Sequence, residues 1–167
     1  LIVQEMFTKS YKIGHKLCVS YIQRNKQEGL KMSEQLIRIE ADDSISFGDF
    51  RLNEKSKLED FPFAGDLYKV KTYNEITKLE KNGGFLYESV PGTDMEHFIE
   101  KAESVEFTVK GNEDAQITIG LAEETDYDVF LDGEDTGTMS SGLSGKLSIS
   151  VALSDKGSVK VKIVKKE

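Results

Sequence analysis

Apolar and polar residues alternate with period two through the second half of this chain. Val105-Glu106-Phe107-Thr108-Val109, Ile117-Thr118-Ile119-Gly120-Leu121 and Tyr127-Asp128-Val129-Phe130-Leu131 each gather their apolar side chains on one face. Leu147-Ser148-Ile149-Ser150-Val151 and Val159-Lys160-Val161-Lys162-Ile163 do the same. This is the pattern of half-buried β-strands. Gly111, Asp132-Gly133, Gly142, Gly145 and Gly157 fall between them as turn residues. Strands recurring at a spacing of roughly 8–12 residues predict a β-sandwich or barrel.

The stretch 32–104 is less regular. Leu36-Ile37-Arg38-Ile39 and Ser44-Ile45-Ser46-Phe47 are short apolar runs around the acidic turn Asp42-Asp43. Residues 67–72, 76–79 and 85–90 predict three strands, the last two joined by the hairpin signal Asn82-Gly83-Gly84. Within Phe85-Leu86-Tyr87-Glu88, strict alternation puts Phe85 and Tyr87 on one face and Leu86 and Glu88 on the other. Pro91-Gly92-Thr93-Asp94 is a turn. Residues 95–102 read either as a short helix capped by Asp94 or as a strand through His97-Phe98-Ile99. The expected architecture is all-β: an Ig-like or jelly-roll-type sandwich of about 8–10 short antiparallel strands. It comprises residues 32–167, with a sub-boundary near 103 if the halves are separate.

Residues 1–31 have another character. They carry a net charge of +4, the only Cys (Cys18) and one of the two His (His15). Lys9, Lys12, His15 and Lys16 interrupt every apolar run, which opposes a secretory signal. Gln27-Glu28-Gly29, back-translated with common codons, contains a bacterial ribosome-binding core at typical distance from an ATG at Met32. We therefore expect a leader, untranslated or outside the core, with the domain starting at Met32.

The whole chain has a formal charge of −8, so 32–167 carries −12. Acidity of that strength opposes binding to nucleic acid or an anionic membrane, and no apolar run approaches the ~18 residues of a membrane helix. Without Cys after Met32, disulfides and thiol chemistry are excluded there. These features predict a cytoplasmic protein. A Ser–His–acid set could use only His97, and no Gly-x-Ser-x-Gly elbow exists. Asp132-Gly133-Glu134-Asp135 lacks the spacing of a calcium loop and reads as an acidic turn. No catalytic residue, metal or cofactor is expected.

The segment Tyr127-Asp128-Val129-Phe130-Leu131-Asp132-Gly133, followed by Gly145-Lys146-Leu147-Ser148-Ile149-Ser150-Val151, resembles the closing strands of bacterial Ig-like modules. A wider resemblance covers nearly all of 32–166. Ala41-Asp42-Asp43-Ser44-Ile45-Ser46-Phe47-Gly48, Gly65-Asp66-Leu67-Tyr68-Lys69-Val70-Lys71-Thr72 and Tyr87-Glu88-Ser89-Val90-Pro91-Gly92-Thr93 carry it. They are similar to short proteins of clostridial gut bacteria labelled "endosialidase". That label implies sialidase chemistry, in which three Arg clamp the substrate carboxylate. After Met32 the chain has only Arg38 and Arg51, and it has no Trp for the family's Asp-box turn. The clamp cannot be built within one chain.

Flat aromatic faces stack on sugars, so Tyr68, Tyr73, Phe85 and Tyr87 are the candidate lining of a glycan groove; the competing expectation is that they face the core. The sequence favours a non-catalytic binding or assembly module that meets a second copy or a protein partner through edge strands. Lys69, Lys71, Lys160 and Lys162 would guard those edges. The alternative is a glycan-active or glycan-binding protein.

Overall fold

Alternating side chains need two apolar faces to close a core, and the chain supplies them as two stacked sheets. A computed structural model describes residues 36–167; the leader and Met32 lie outside the described residues. Thirteen strands follow one another there: β1 (Ile37–Ile39), β2 (Ile45–Phe47), β3 (Ser56–Phe63), β4 (Asp66–Tyr73), β5 (Ile76–Lys81), β6 (Gly84–Val90), β7 (Asp94–Glu100), β8 (Ser104–Lys110), β9 (Ala115–Gly120), β10 (Asp126–Leu131), β11 (Glu134–Ser140), β12 (Lys146–Val151) and β13 (Ser158–Lys165). Seven form one sheet in the order β1-β2-β7-β8-β13-β10-β11, and six form the other in the order β12-β9-β6-β5-β4-β3. Every pairing is antiparallel. Each sheet draws strands from both sides of residue 103.

The inner faces are the apolar rows of the sequence pattern. Val105, Phe107 and Val109 on β8 and Val159, Val161 and Ile163 on β13 meet Ile117 and Ile119 on β9 and Leu147, Ile149 and Val151 on β12, all nearly inaccessible to water. Phe47, Tyr87, Phe98 and Phe107 interlock at ring separations of 5.4–6.2 Å, mostly edge to face. Asn82 and Gly83 adopt positive φ (50° and 78°) in the β5–β6 hairpin, as its Asn-Gly signal predicts.

Four expectations are corrected. The strand total is thirteen, above the expected 8–10, because β3 and β11 lack clean alternation; β11 is exposed along nearly its whole length. Residues 94–100 are strand, so the helix reading fails. A bulge at His97-Phe98 turns Met95 and Phe98 to the same inner face, and that three-residue spacing imitates a helix. A second bulge in β6 buries both Leu86 and Tyr87 and turns Phe85 outward, against the face assignment from strict alternation. Finally, Lys69 and Lys71 lie on β4, and Lys160 and Lys162 on β13; both strands are flanked on each side, so these lysines guard no edge.

No helix of the described residues is long and apolar enough to cross a membrane.

Candidate functional site

The four aromatic candidates separate. Tyr87 is wholly buried between the sheets. Tyr73 ends β4; its hydroxyl donates to Glu75 Oε2 at 2.8 Å and its ring lies 6.0 Å from Lys55 Nζ. Tyr68 and Phe85 both reach the end of the sandwich formed by the β5–β6 hairpin and the β7–β8 turn. Phe85 lies against Gly120 of the neighbouring strand, and Lys146 Nζ sits 4.3 Å from its ring centroid.

Two clefts open at that end. One, of about 480 Å³, is bounded by Phe85, Leu86, Tyr127, Gly120 and Lys146; the other, of about 560 Å³, by Tyr68, Phe63, Ile45, Phe98 and Asp66. Lys81 and Glu100 line both. Lys81 comes from the six-stranded sheet and Glu100 from the seven-stranded one, and their 2.9 Å contact ties the sheets together. Lys81 also lies 3.4 Å from Asp66. Glu100 above all holds the Lys81 ammonium above its ordinary range, while burial raises the Tyr68 phenol. A cation with carboxylates on either side, between two part-apolar clefts, can hold a polar ligand.

The bulge at His97 assembles a second cluster, from residues more than fifty positions apart. His97 Nδ1 lies 3.0 Å from Asp42 Oδ2 and 3.2 Å from Ser44 Oγ. Ser44 Oγ donates to Asp42 Oδ1 in a short contact. The residue types are those of a catalytic triad, but the wiring differs. A triad needs the serine on one imidazole nitrogen and the acid on the other. Here both meet Nδ1, and the Ser44 hydroxyl is fully buried and committed to the carboxylate. The cluster fastens the β1–β2 turn to the β7 bulge.

At the opposite end, Asp49 accepts from Arg51 Nε at 2.7 Å and from the Arg51 backbone N–H at 3.0 Å. Arg51 Nη2 lies 3.4 Å from Asp94, which also accepts the Phe50 N–H at 3.0 Å. Burial pushes the Asp94 carboxyl up to about 6. Beneath them runs a chain of fully buried hydroxyls: Thr72 to Thr77 at 2.7 Å, Thr77 to the Thr93 carbonyl at 2.7 Å, and Thr93 Oγ1 to both Ser89 and Tyr87. Among the described residues, every buried side-chain nitrogen or oxygen has a partner. Asp132 is likewise engaged, accepting the Lys160 N–H and pairing with Lys156 at 2.9 Å. Among the described residues, no group of three or more His, Cys, Asp or Glu is placed to hold a metal ion.

Sequence reasoning found His97 but not its partners, because only the β2–β7 pairing brings Ser44 and Asp42 to it. It missed Lys81 and Glu100 for the same reason: the two face each other across the sandwich, not along a strand. No protein-family profile, no curated protein and no solved structure matches this chain.

Proposed function

We propose that this chain is a small, cytoplasmic, non-catalytic β-sandwich module that works by binding or assembly. The observation that carries the reading is the state of its polar groups. The one Ser–His–Asp set among the described residues is wired for structure, and the buried hydroxyls are closed on one another. The sheets, by contrast, keep open edges at which backbone donors and acceptors are free to pair. Light scattering of the full chain over a concentration series tests this. Growth in mass, or capture of a defined partner, supports it; a strict monomer with measurable hydrolase turnover overturns it.

A second reading, glycan binding, is favoured by one observation. Tyr68 and Phe85 line adjacent clefts on either side of the Lys81–Glu100 pair. A glycan array on the purified chain tests it. Binding lost on Tyr68→Ala or Lys81→Ala supports a site there; a blank array removes it.

A further inference from the structure

The two sheets leave four edges: β1, β11, β12 and β3. Natural sandwiches defend such edges with short strands, prolines, bulges or charges. Three of these four are defended. β1 has three residues. β3 contains Pro62 and a bulge with Asp60 at positive φ. β11 carries Glu134 and Asp135, a bulge, and Gly137 at a φ of 105°. β12 is the least defended: it has no proline and no bulge, is six residues long and paired with β9 without a register shift, and of its outward side chains Lys146, Ser148 and Ser150 only the first, at the very start of the strand, is charged.

The free backbone groups of β12 can be identified. The Leu121 N–H donates to the Gly145 carbonyl at 2.7 Å, so residue 145 bonds toward β9. In an antiparallel ladder bonding direction alternates. Residues 147, 149 and 151 therefore face β9, while 146, 148 and 150 face outward. The Lys146 carbonyl agrees, accepting the Gly142 N–H from the outer side at 3.0 Å. Ser148 and Ser150 present unpaired N–H and C=O groups at an exposed edge.

We infer that β12 is the site at which this module, read as above as an assembly domain, pairs with a second copy of itself, antiparallel about a two-fold axis at Ile149. The charge pattern of the edge selects that occupant. Lys146 stands at the start of β12 without a carboxylate partner among the described residues. Asp114 and Asp155 flank its end, Asp114 accepting the Leu153 N–H at 2.9 Å. A two-fold sets each Lys146 beside the acidic end of the other strand. It also places Ser148 opposite the partner's Ser150 and Ile149 opposite the partner's Ile149, with no like charges opposed. Pairing at β11 is opposed instead by its bulge and by the φ of 105° at Gly137. Leu143, 78% exposed just before the same edge, is apolar surface that such a contact can shelter. A six-residue edge is small for an interface, so the dimer is weak and reversible.

Sedimentation equilibrium of the full chain over rising concentration is the test. Ser148→Pro removes an outward N–H, sparing the backbone ladder to β9 and losing only the Ser148–Thr118 hydroxyl contact on that side, and should weaken the dimer by about tenfold or more. Should that variant fold poorly, paired charges serve instead. Ser148→Lys with Ser150→Lys opposes like charges and should abolish the dimer. Ser148→Lys with Ser150→Glu opposes unlike charges in this register and should restore it. An assembly indifferent to all three variants overturns the β12 assignment while leaving the assembly reading intact. A strict monomer at every concentration overturns the β12 pairing, and only together with measurable hydrolase turnover does it overturn the binding or assembly reading as well.

Discussion

The phenol of Tyr87 lies 2.8 Å from Oγ1 of Thr93, and neither residue has any exposed surface. Thr93 Oγ1 also meets Ser89 at 2.7 Å, so three buried hydroxyls satisfy one another in the centre of the sandwich. Burial pushes the Tyr87 phenol up to about 12. Tyr87→Phe keeps the ring contacts with Phe47 and Phe107 but leaves Thr93 with one fewer partner. We expect a loss of about 1–2 kcal/mol by chemical denaturation, whereas Tyr87→Ala should cost about 3–5 kcal/mol through the cavity it opens.

Asp94 sets a pH dependence of unusual sign. Its folded pKa of about 6 exceeds the ordinary value near 3.9 of an unfolded chain. Between those values the native state holds a proton that the unfolded state has released, so stability falls as pH rises from about 4 to about 6. Asp66, Asp114 and Asp132 act oppositely. Hydrogen bonds from Asn82, Ser154 and Lys160 hold them below their ordinary range, and the stability they add is present above about pH 4 and lost on acidification. Thermal melts should therefore peak in mild acid. Asp94→Asn keeps an acceptor for the Phe50 N–H and removes the falling limb, raising stability at pH 7 by about 1–2 kcal/mol. A wild-type profile flat from pH 4 to 7 would contradict this.

The sandwich was legible because five C-terminal strands bury one face each, and period two survives in them. Legibility failed where bulges intervene. The extra residue at His97 put Met95 and Phe98 on one face, and the one in β6 exchanged the positions of Phe85 and Leu86. A bulge leaves no periodic trace, because it works by breaking the period. β11 was invisible for a different reason: with both faces exposed, it has no apolar row to show. The Lys81–Glu100 bridge spans two sheets and the Ser44–His97 contact spans two strands, so neither is written in local spacing.

The wiring of Ser44 yields a sharp outcome. A serine nucleophile activated by His97 would react with a fluorophosphonate probe; a buried hydroxyl bonded to Asp42 should not. We expect no labelling of the native chain at Ser44. Ser44→Ala should lower stability by about 1 kcal/mol, the scale of one lost side-chain hydrogen bond, because the His97–Asp42 contact, the His97 N–H bond to Ser46 and the β2–β7 pairing still hold the β1–β2 turn to β7. Labelling of Ser44 in the folded protein, mapped by peptide mass, would contradict the structural role.

Gly120 decides between two roles for Phe85. A Cβ at Gly120 would stand 2.6 Å from the Phe85 carbonyl oxygen and 3.3 Å from its ring. Strand β6 can lie that close to β9 only because position 120 has no side chain, and the ring fills the space left on the outer face. Lys146 then packs its ammonium onto the ring. As a cover for the sheet, Phe85 should matter to stability. Gly120→Ala should cost about 1–3 kcal/mol by forcing the two strands apart, and Phe85→Ala should cost a similar amount by uncovering the glycine. As a platform for a sugar, Phe85 should matter to binding instead, and Phe85→Ala should leave the melting temperature unchanged while erasing any glycan-array signal. Melting curves and arrays on the same two variants separate these outcomes. The tight Phe85–Gly120 contact, with the Lys146 ammonium already on the ring, makes loss of stability the expected result.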